Sequence, residues 1–286
     1  MAEQLCALPT FVAGVAAGGA RAPPVLQEAA TNCAAALLHI TKAGPELLRR
    51  VVVVPGLIAA VVAAMAAGST KAASSGLQKA AANSAVGTSI VAGASPAFAR
   101  RVAEEPGALQ ALVAVVAAGG AAATPCLQIA ATYCARVLDG ITCAGPELAQ
   151  RVAEETRALR TLVATVAAGV PAAAGSAQDT AARCVRVLAR MAWAAPELAR
   201  RVAEERGALR ALAGALAAGS AIAATPSLHE MAENSTSALV DITKAGPDFV
   251  RRVAEVPSVL PAMVAAVAAG GAAGTPSLQA QAYNSA

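Results

Sequence analysis

The chain has 286 residues, a formal net charge of +4, and a composition that is 57% hydrophobic but only 2% aromatic. Because large aromatic side chains bury the most area in a compact core, this alanine-rich composition favours closely packed helices. The chain lacks a broad basic field, stacking aromatic residues and a recognised nucleic-acid module, so we expect no nucleic-acid partner.

The mean hydropathy of +0.57 raises the question of a membrane protein. The most apolar stretch, residues 51–67, is nearly free of polar side chains. Pro55-Gly56 interrupts it, and the same register elsewhere carries Glu104-Glu105 and Glu154-Glu155, which the centre of a bilayer disfavours. The stretch therefore predicts buried helices and no transmembrane segment.

Six cysteines occur without any Cys-x-x-Cys pair, so we expect no metal site. One register along the chain holds only small residues, which predicts a small core position: Cys33, Ser84, Cys134, Cys184, Ser235 and Ser285. The residues before Pro9 show no secretory signal, so we expect an intracellular, cytoplasmic protein with reduced cysteines.

Two ladders of equivalent residues define a repeat of about fifty residues. A proline opens a related segment in each unit: Pro45, Pro96, Pro146, Pro196 and Pro247. A glycine ends each apolar run: Gly18, Gly68, Gly119, Gly169, Gly219 and Gly270. We predict a single solenoid over residues 1–286, with the units 1–44, 45–95, 96–145, 146–195, 196–246 and 247–286.

Each complete unit predicts three helices, which the unit 96–145 shows in order. A short first helix runs from Pro96 to about Glu105, where Pro106-Gly107 breaks it. The second helix, 108–118, has apolar residues at helical spacing and stops at a glycine. Thr124 can cap a third helix that begins at Pro125, and Thr225-Pro226 and Thr275-Pro276 repeat this signal.

Arginines and glutamates lie four residues apart on the first helices, as in Arg200 with Glu204 and Arg201 with Glu205. The order, cation before anion, opposes the helix dipole. We interpret these residues as a solvated outer face, an interpretation that allows contacts to neighbouring units.

The units resemble the armadillo repeat. The resemblance covers nearly the whole chain and rests on Gly107-Ala108-Leu109 with Leu112-Val113, and on Gln128 with Ala131, Cys134 and Leu138. It implies an all-α, right-handed α-solenoid of three-helix repeats whose third helices line a concave groove for extended partner segments. HEAT repeats are the near alternative, but their two-helix unit explains the proline-led first helix less well.

Residues at relative positions 0, 3 and 7 of each third helix share one face, which the resemblance places in the groove. The middle units contribute Tyr133, Arg136, Arg183, Arg186 and Arg190. The outer units contribute Asn32, His39, Asn83, Asn234, Asp241 and, at the far end, Asn284. This central basic patch with amide flanks predicts an acidic, extended peptide as partner, and the alternative is that these polar residues only solvate a helix face. We expect replacement of Arg183 and Arg186 by glutamate to change folding very little.

Catalysis has little support, because His39 and His229 lie in distant units and no nucleophile has a partner in register. We therefore expect no enzyme and no cofactor. The leading hypothesis is an adaptor that holds a partner segment in the groove. A structural subunit that uses its outer faces and ends is the alternative, and peripheral membrane attachment is a weaker one.

Trp193, at the end of a third helix, is expected to pack against the next first helix.

Residues 2–18 align with 103–119, so the first unit lacks its first helix, and the last unit is also partial. We expect the sequence to be an interior slice of a longer solenoid. Because each repeat buries its apolar face only against its neighbours, such uncapped ends are expected to self-associate.

Overall fold

A computed structural model describes residues 7–120, 122–171, 175–221 and 224–273, and all regular secondary structure in these ranges is helical. The chain divides into two compact units, Met1–Ala144 and Gly145–Ala286. The first unit contains α1 (Leu8–Ala17), α2 (Pro24–Lys42), α3 (Pro45–Val52), α4 (Leu57–Gly68), α5 (Ser75–Ala94), α6 (Pro96–Glu104), α7 (Ala108–Ala118) and α8 (Pro125–Cys143). The second contains α9 (Pro146–Glu154), α10 (Ala158–Gly169), α11 (Ser176–Ala194), α12 (Pro196–Glu204), α13 (Ala208–Gly219), α14 (Pro226–Lys244), α15 (Pro247–Glu255) and α16 (Val259–Ala273).

The predicted three-helix repeat is confirmed in the described residues. The unit 96–145 forms α6, α7 and α8 with the expected starting residues, and every first helix begins at its ladder proline. Thr124 and Thr225 cap their third helices, since each hydroxyl accepts a hydrogen bond from the backbone N–H three residues on. The proposed cap at Thr275 lies outside the described residues. One continuous solenoid over residues 1–286 stays a prediction.

Packing within each unit follows the repeat. The third helices lie side by side, α2 with α5 and α5 with α8 in the first unit, and α11 with α14 in the second. The second helices also contact one another in order, α1, α4 and α7 in the first unit and α10, α13 and α16 in the second, and each of the first five packs on its own third helix. Leucines such as Leu112, Leu127 and Leu138, all with 0% exposure, fill the space between these layers.

A left-handed residue joins most first helices to their second helices. Gly56, Gly107 and Gly207 take φ values of 74°, 74° and 84° at this position. The fourth member of the set is Arg157, the one non-glycine residue with positive φ in the described part of the chain, at 68°. An L side chain costs free energy in this conformation, whereas glycine does not.

Replacement of Arg157 by glycine is therefore expected to stabilise the second unit by about 1 kcal/mol, because relief of strain outweighs the larger entropy of the unfolded chain. The Arg157 side chain is exposed, so little packing is lost. Urea unfolding followed by circular dichroism measures the change. The matched control is Gly107→Arg in the first unit, which should lower stability by a similar amount; a stabilising Gly107→Arg would contradict the explanation.

No single helix of the described residues is both long and apolar enough to cross a membrane. The pair Glu46–Val52 and Leu57–Gly68 meets the requirements of length and composition only when its two helices are taken together, and they are bent by 83° relative to each other.

Candidate functional site

The candidate site is the third-helix surface, which we define as the solvent-facing rows of α2, α5 and α8 in the first unit and of α11 and α14 in the second. Many polar side chains near these rows hold the repeats together.

A glutamine near the start of the third helix joins it to the third helix that follows. The Thr124 hydroxyl donates a hydrogen bond to Oε1 of Gln78 over 2.6 Å, while Nε2 of Gln78 donates to the carbonyl oxygens of Thr70 and Ala73. The same bond joins Ser74 to Gln27 at 2.6 Å and Thr225 to Gln178 at 2.8 Å. The glutamine register of the armadillo resemblance therefore has a structural role, as buried polar groups require partners.

An arginine of the first helix joins it to the preceding first helix. The guanidinium of Arg101 donates to the carbonyl oxygen of Val52 over 2.8 Å, at the end of α3, where helical carbonyls lack partners. Arg201 bonds Ala153 at 2.8 Å and Arg252 bonds Ala203 at 3.0 Å in the same way. Arg200 donates to the carbonyl oxygen of Ala245 at 3.3 Å. These arginines therefore make the contacts to neighbouring repeats that the sequence interpretation allowed, because the ends of neighbouring helices supply carbonyl acceptors.

In the first unit, the third-helix surface carries side chains that the packing of the repeats does not use. Asn32 is exposed and Asn83 is half-buried, and neither side chain makes a hydrogen bond within the described part of the chain. On α8 the Arg136 guanidinium lies 5.3 Å from the centroid of the Tyr133 ring, in cation–π contact, and Arg136 is exposed. Ile129, one turn before Tyr133, is 43% exposed.

In the second unit, an internal carboxylate occupies the predicted basic patch. Nη1 of Arg183 lies 3.0 Å from Oε1 of Glu230, and Arg186 forms an ion pair with the same oxygen. Both arginines are therefore already paired within the unit, and their contact with a partner stays a prediction. Glu230 lies four residues before Asn234, so the spacing alone places both residues on one face of α14. Only the packing of α14 on α11 brings Glu230 to the arginines.

The remaining predicted residues of the second unit are also engaged or half-buried. The Asn234 amide donates to the carbonyl oxygen of Glu230 at 2.7 Å, and Asp241 pairs with Lys244 at 2.8 Å. Arg190 is half-buried, and His39, in the first unit, is exposed. Asn284 lies outside the described residues. Tyr133 and Arg136 belong to the first unit, and the arginines of α11 belong to the second.

The cysteine register is a small core position, as predicted. Cys134 and Cys184 have 0% exposure, and the serines at the same register, Ser84 and Ser235, have 4% and 0%. Burial raises the pKa of the Cys184 thiol to about 12 and also raises the pKa of Cys134, so both thiols are protonated and unreactive at neutral pH. Cys33 is half-buried, and Ser285 lies outside the described residues. The described residues contain no cluster of metal-ligating side chains.

Trp193 does not pack against the next first helix; it is 78% exposed. The equivalent residues at the ends of the other third helices are all exposed as well: Lys42, Gly93, Cys143 and Lys244. Trp193 thus occupies a solvent-facing register, which a local analysis of the helix end does not reveal. Single exposed apolar residues are common on protein surfaces, but tryptophan is enriched among the residues that dominate protein interfaces.

No known protein family matches the sequence, and no curated protein does. Three crystal structures of engineered proteins from the Northeast Structural Genomics Consortium are similar to the fold. The first shares 17% identity over 97% of this chain and 96% of its own, with a TM-score of 0.70. The second shares 17% identity over 97% and 94%, with a TM-score of 0.63, and the third 13% over 98% and 73%, with a TM-score of 0.59. This likeness shows the fold alone, an all-helical repeat protein.

Proposed function

We propose that this chain is a non-enzymatic scaffold of armadillo type, a right-handed superhelix whose third helices line a groove for an extended, acidic segment of a partner protein. The observation that carries the proposal is the cation–π pair of the half-buried Tyr133 and the exposed Arg136 on α8. Asn83, whose amide makes no hydrogen bond within the described residues, holds the register of Tyr133 on the neighbouring helix α5. A helical repeat fold in itself suggests a scaffold for interactions.

The polar side chains of the repeat support this proposal because some of them join neighbouring repeats and others do not. Gln78, Arg101 and their equivalents in other repeats form hydrogen bonds to neighbouring repeats. A partner that used these side chains would weaken the packing between repeats. In the first unit, Asn32 and Asn83 make no such bonds within the described residues, and the exposed Arg136 guanidinium lies over the Tyr133 ring. Side chains that the fold does not need are those that remain for recognition.

The chemistry of this row favours an extended and acidic segment. A guanidinium that stacks on an aromatic ring still presents its N–H donors to a carboxylate, and an amide can bond both donors and acceptors of a peptide backbone. Lys79 adds a second exposed cation on α5. Neighbouring helices pack ~8 to 10 Å apart and an extended peptide advances ~3.3 Å per residue, so about every third partner residue meets a new helix.

Labelled peptides with glutamate at every third position, separated by serine and glycine, test the proposal by fluorescence anisotropy. We expect Arg136→Glu to weaken their binding by about tenfold or more, since a charge-assisted hydrogen bond is lost and repulsion is introduced. The matched control is Arg160→Glu on α10, an exposed arginine without an ion pair in the described residues. Binding to the wild-type protein that equals binding of a lysine counterpart of the peptide would contradict the proposal.

The structural subunit remains a second candidate because of Trp193. Its exposed ring lies at the C-terminal end of α11, whereas the residues of the proposed groove lie nearer the middle of the third helices. A fixed partner in a larger assembly would bury this ring, and a Trp193→Ser variant would then lose co-purification with that partner while Arg136→Glu would not.

A further inference from the structure

The third helix α5 carries two residues that are smaller than their equivalents in other repeats. Gly87 lies at the register of Val137 and Val187, which have 0% exposure on α8 and α11. Thr88 lies at a register where the other described third helices have a leucine that is at most 5% exposed: Leu37, Leu138, Leu188 and Leu239. Because smaller side chains fill less of a packed interior, α5 is expected to leave space open at these two positions.

A cavity of about 20 Å³ lies at this point of the first unit. Helices α2 to α6 all contribute to its wall, which is mainly apolar and includes Leu37, Val61, Val91 and Phe98. Ser84 and Thr88 add two hydroxyl groups. Of the lining residues, Asn83 and Gly87 are half-buried and the others are buried. The cavity therefore opens between Asn83 and Gly87, which lie one turn apart on the third-helix surface.

We propose, on the basis of the proposed function, that this cavity receives one short aliphatic side chain, about the size of valine, from the partner segment. A volume of about 20 Å³ holds one or two methyl groups, since one water-sized group needs ~10–15 Å³. It is far smaller than the ~150 Å³ cavity that binds benzene, which excludes an aromatic side chain. The mainly apolar wall favours hydrocarbon over a polar group.

The surroundings of the opening match an acidic segment. Lys79 is exposed one turn before Asn83 on the same face of α5, and its ammonium group makes no ion pair within the described residues. A carboxylate near the aliphatic residue of the partner would pair with Lys79, and the Asn83 amide would bond the partner's backbone. Helix α5 would thus recognise an acidic and an aliphatic residue of one segment.

The glutamate peptides described above test this proposal when valine replaces one serine, at each serine position in turn. Valine should tighten binding to the wild-type protein by about tenfold at one or more positions, because one or two methyl groups leave water. Gly87→Val, which supplies the side chain found in α8 and α11, should abolish this gain and leave binding of the serine peptide unchanged. The matched control is Gly93→Val on the same helix, where a Cβ atom has no atom within 4 Å, and it should keep the gain.

The Gly87→Val variant is expected to fold. A Cβ atom at this position would lie 3.9 Å from Cα of Leu38 and 4.0 Å from Oγ1 of Thr41, both ordinary contact distances. Circular dichroism verifies that both glycine variants keep their helices.

A valine peptide that binds no more tightly than the serine peptide overturns the proposal, and so does a gain that persists in Gly87→Val. A threonine peptide has nearly the same shape, so threonine that binds as tightly as valine contradicts an aliphatic occupant. In each of these results the serine peptide still binds, and the proposed function stands. If neither the serine nor the valine peptide binds, both proposals are overturned.

Discussion

Replacement of Gly119 by alanine is expected to destabilise the first unit by about 3 kcal/mol, as overpacking against backbone does. Gly119 ends α7 where α8 passes closest. A Cβ atom there would meet the Ala131 methyl group and lie 3.1 Å from the carbonyl oxygen of Leu127. Neither neighbour is the flexible end of a long side chain, so α8 must move. Urea unfolding followed by circular dichroism, together with hydrogen exchange in α7 and α8, measures the loss.

Gly120→Ala is the matched control, because a Cβ atom at the next position has no atom within 4 Å. Its effect should stay within about 0.5 kcal/mol, as for a surface substitution. The second unit offers the same comparison, since Gly219 approaches Leu228 and Ala232, whereas Gly214 faces open space. Equal effects at Gly119 and Gly120 would show that the glycine ladder has no role in the approach of the helices.

The double replacement of Arg183 and Arg186 by glutamate should destabilise the second unit by about 2 kcal/mol, between the values of exposed and buried ion pairs. The arginine side chains are 26% and 31% exposed and the Glu230 side chain 24%, so solvent screens them only partly. The variant places three carboxylates together at the junction of α11 and α14. Chemical unfolding at low and high salt measures the loss, which should shrink as salt screens the repulsion.

Reversal of the third charge provides the control for this prediction. Adding Glu230→Arg to the double variant restores opposite charges and should recover most of the lost stability. Arg160→Glu, at an exposed position, should change stability by less than about 0.5 kcal/mol. A double variant as stable as the wild type, or a triple variant no more stable than the double, would show that the Glu230 contacts contribute nothing to the fold.

The elements could be predicted from the sequence because their signals are local. Proline at the first helical turn, a hydroxyl cap and glycine at the helix end act within one or two turns. The bounds of α6, α7 and α8 therefore agree with the expected ones within two residues. The burial of Cys134 and Cys184 could also be predicted from the sequence, since the repeat period alone aligns them with other small residues.

The candidate site was harder to predict from the sequence, because its ion pairs and hydrogen bonds join residues of neighbouring repeats. The sequence identifies Arg183 and Arg186 as one helical face but not the carboxylate of Glu230 that faces them from α14. The bond from Arg101 to Val52 likewise joins residues 49 positions apart. Tyr133 and Arg136 were found because both lie on one helix, three residues apart.

Site-specific photo-crosslinking in cells tests most directly whether the third-helix surface binds a partner protein. A photoreactive amino acid at position 133 should capture a partner, and Arg136→Glu in the same chain should abolish that capture. The same amino acid at position 160, on a second helix, should capture much less. Capture at position 193 with none at position 133 would contradict partner binding at the third-helix surface. It would favour a structural subunit of a larger assembly that binds its neighbour through the end of α11, where Trp193 lies.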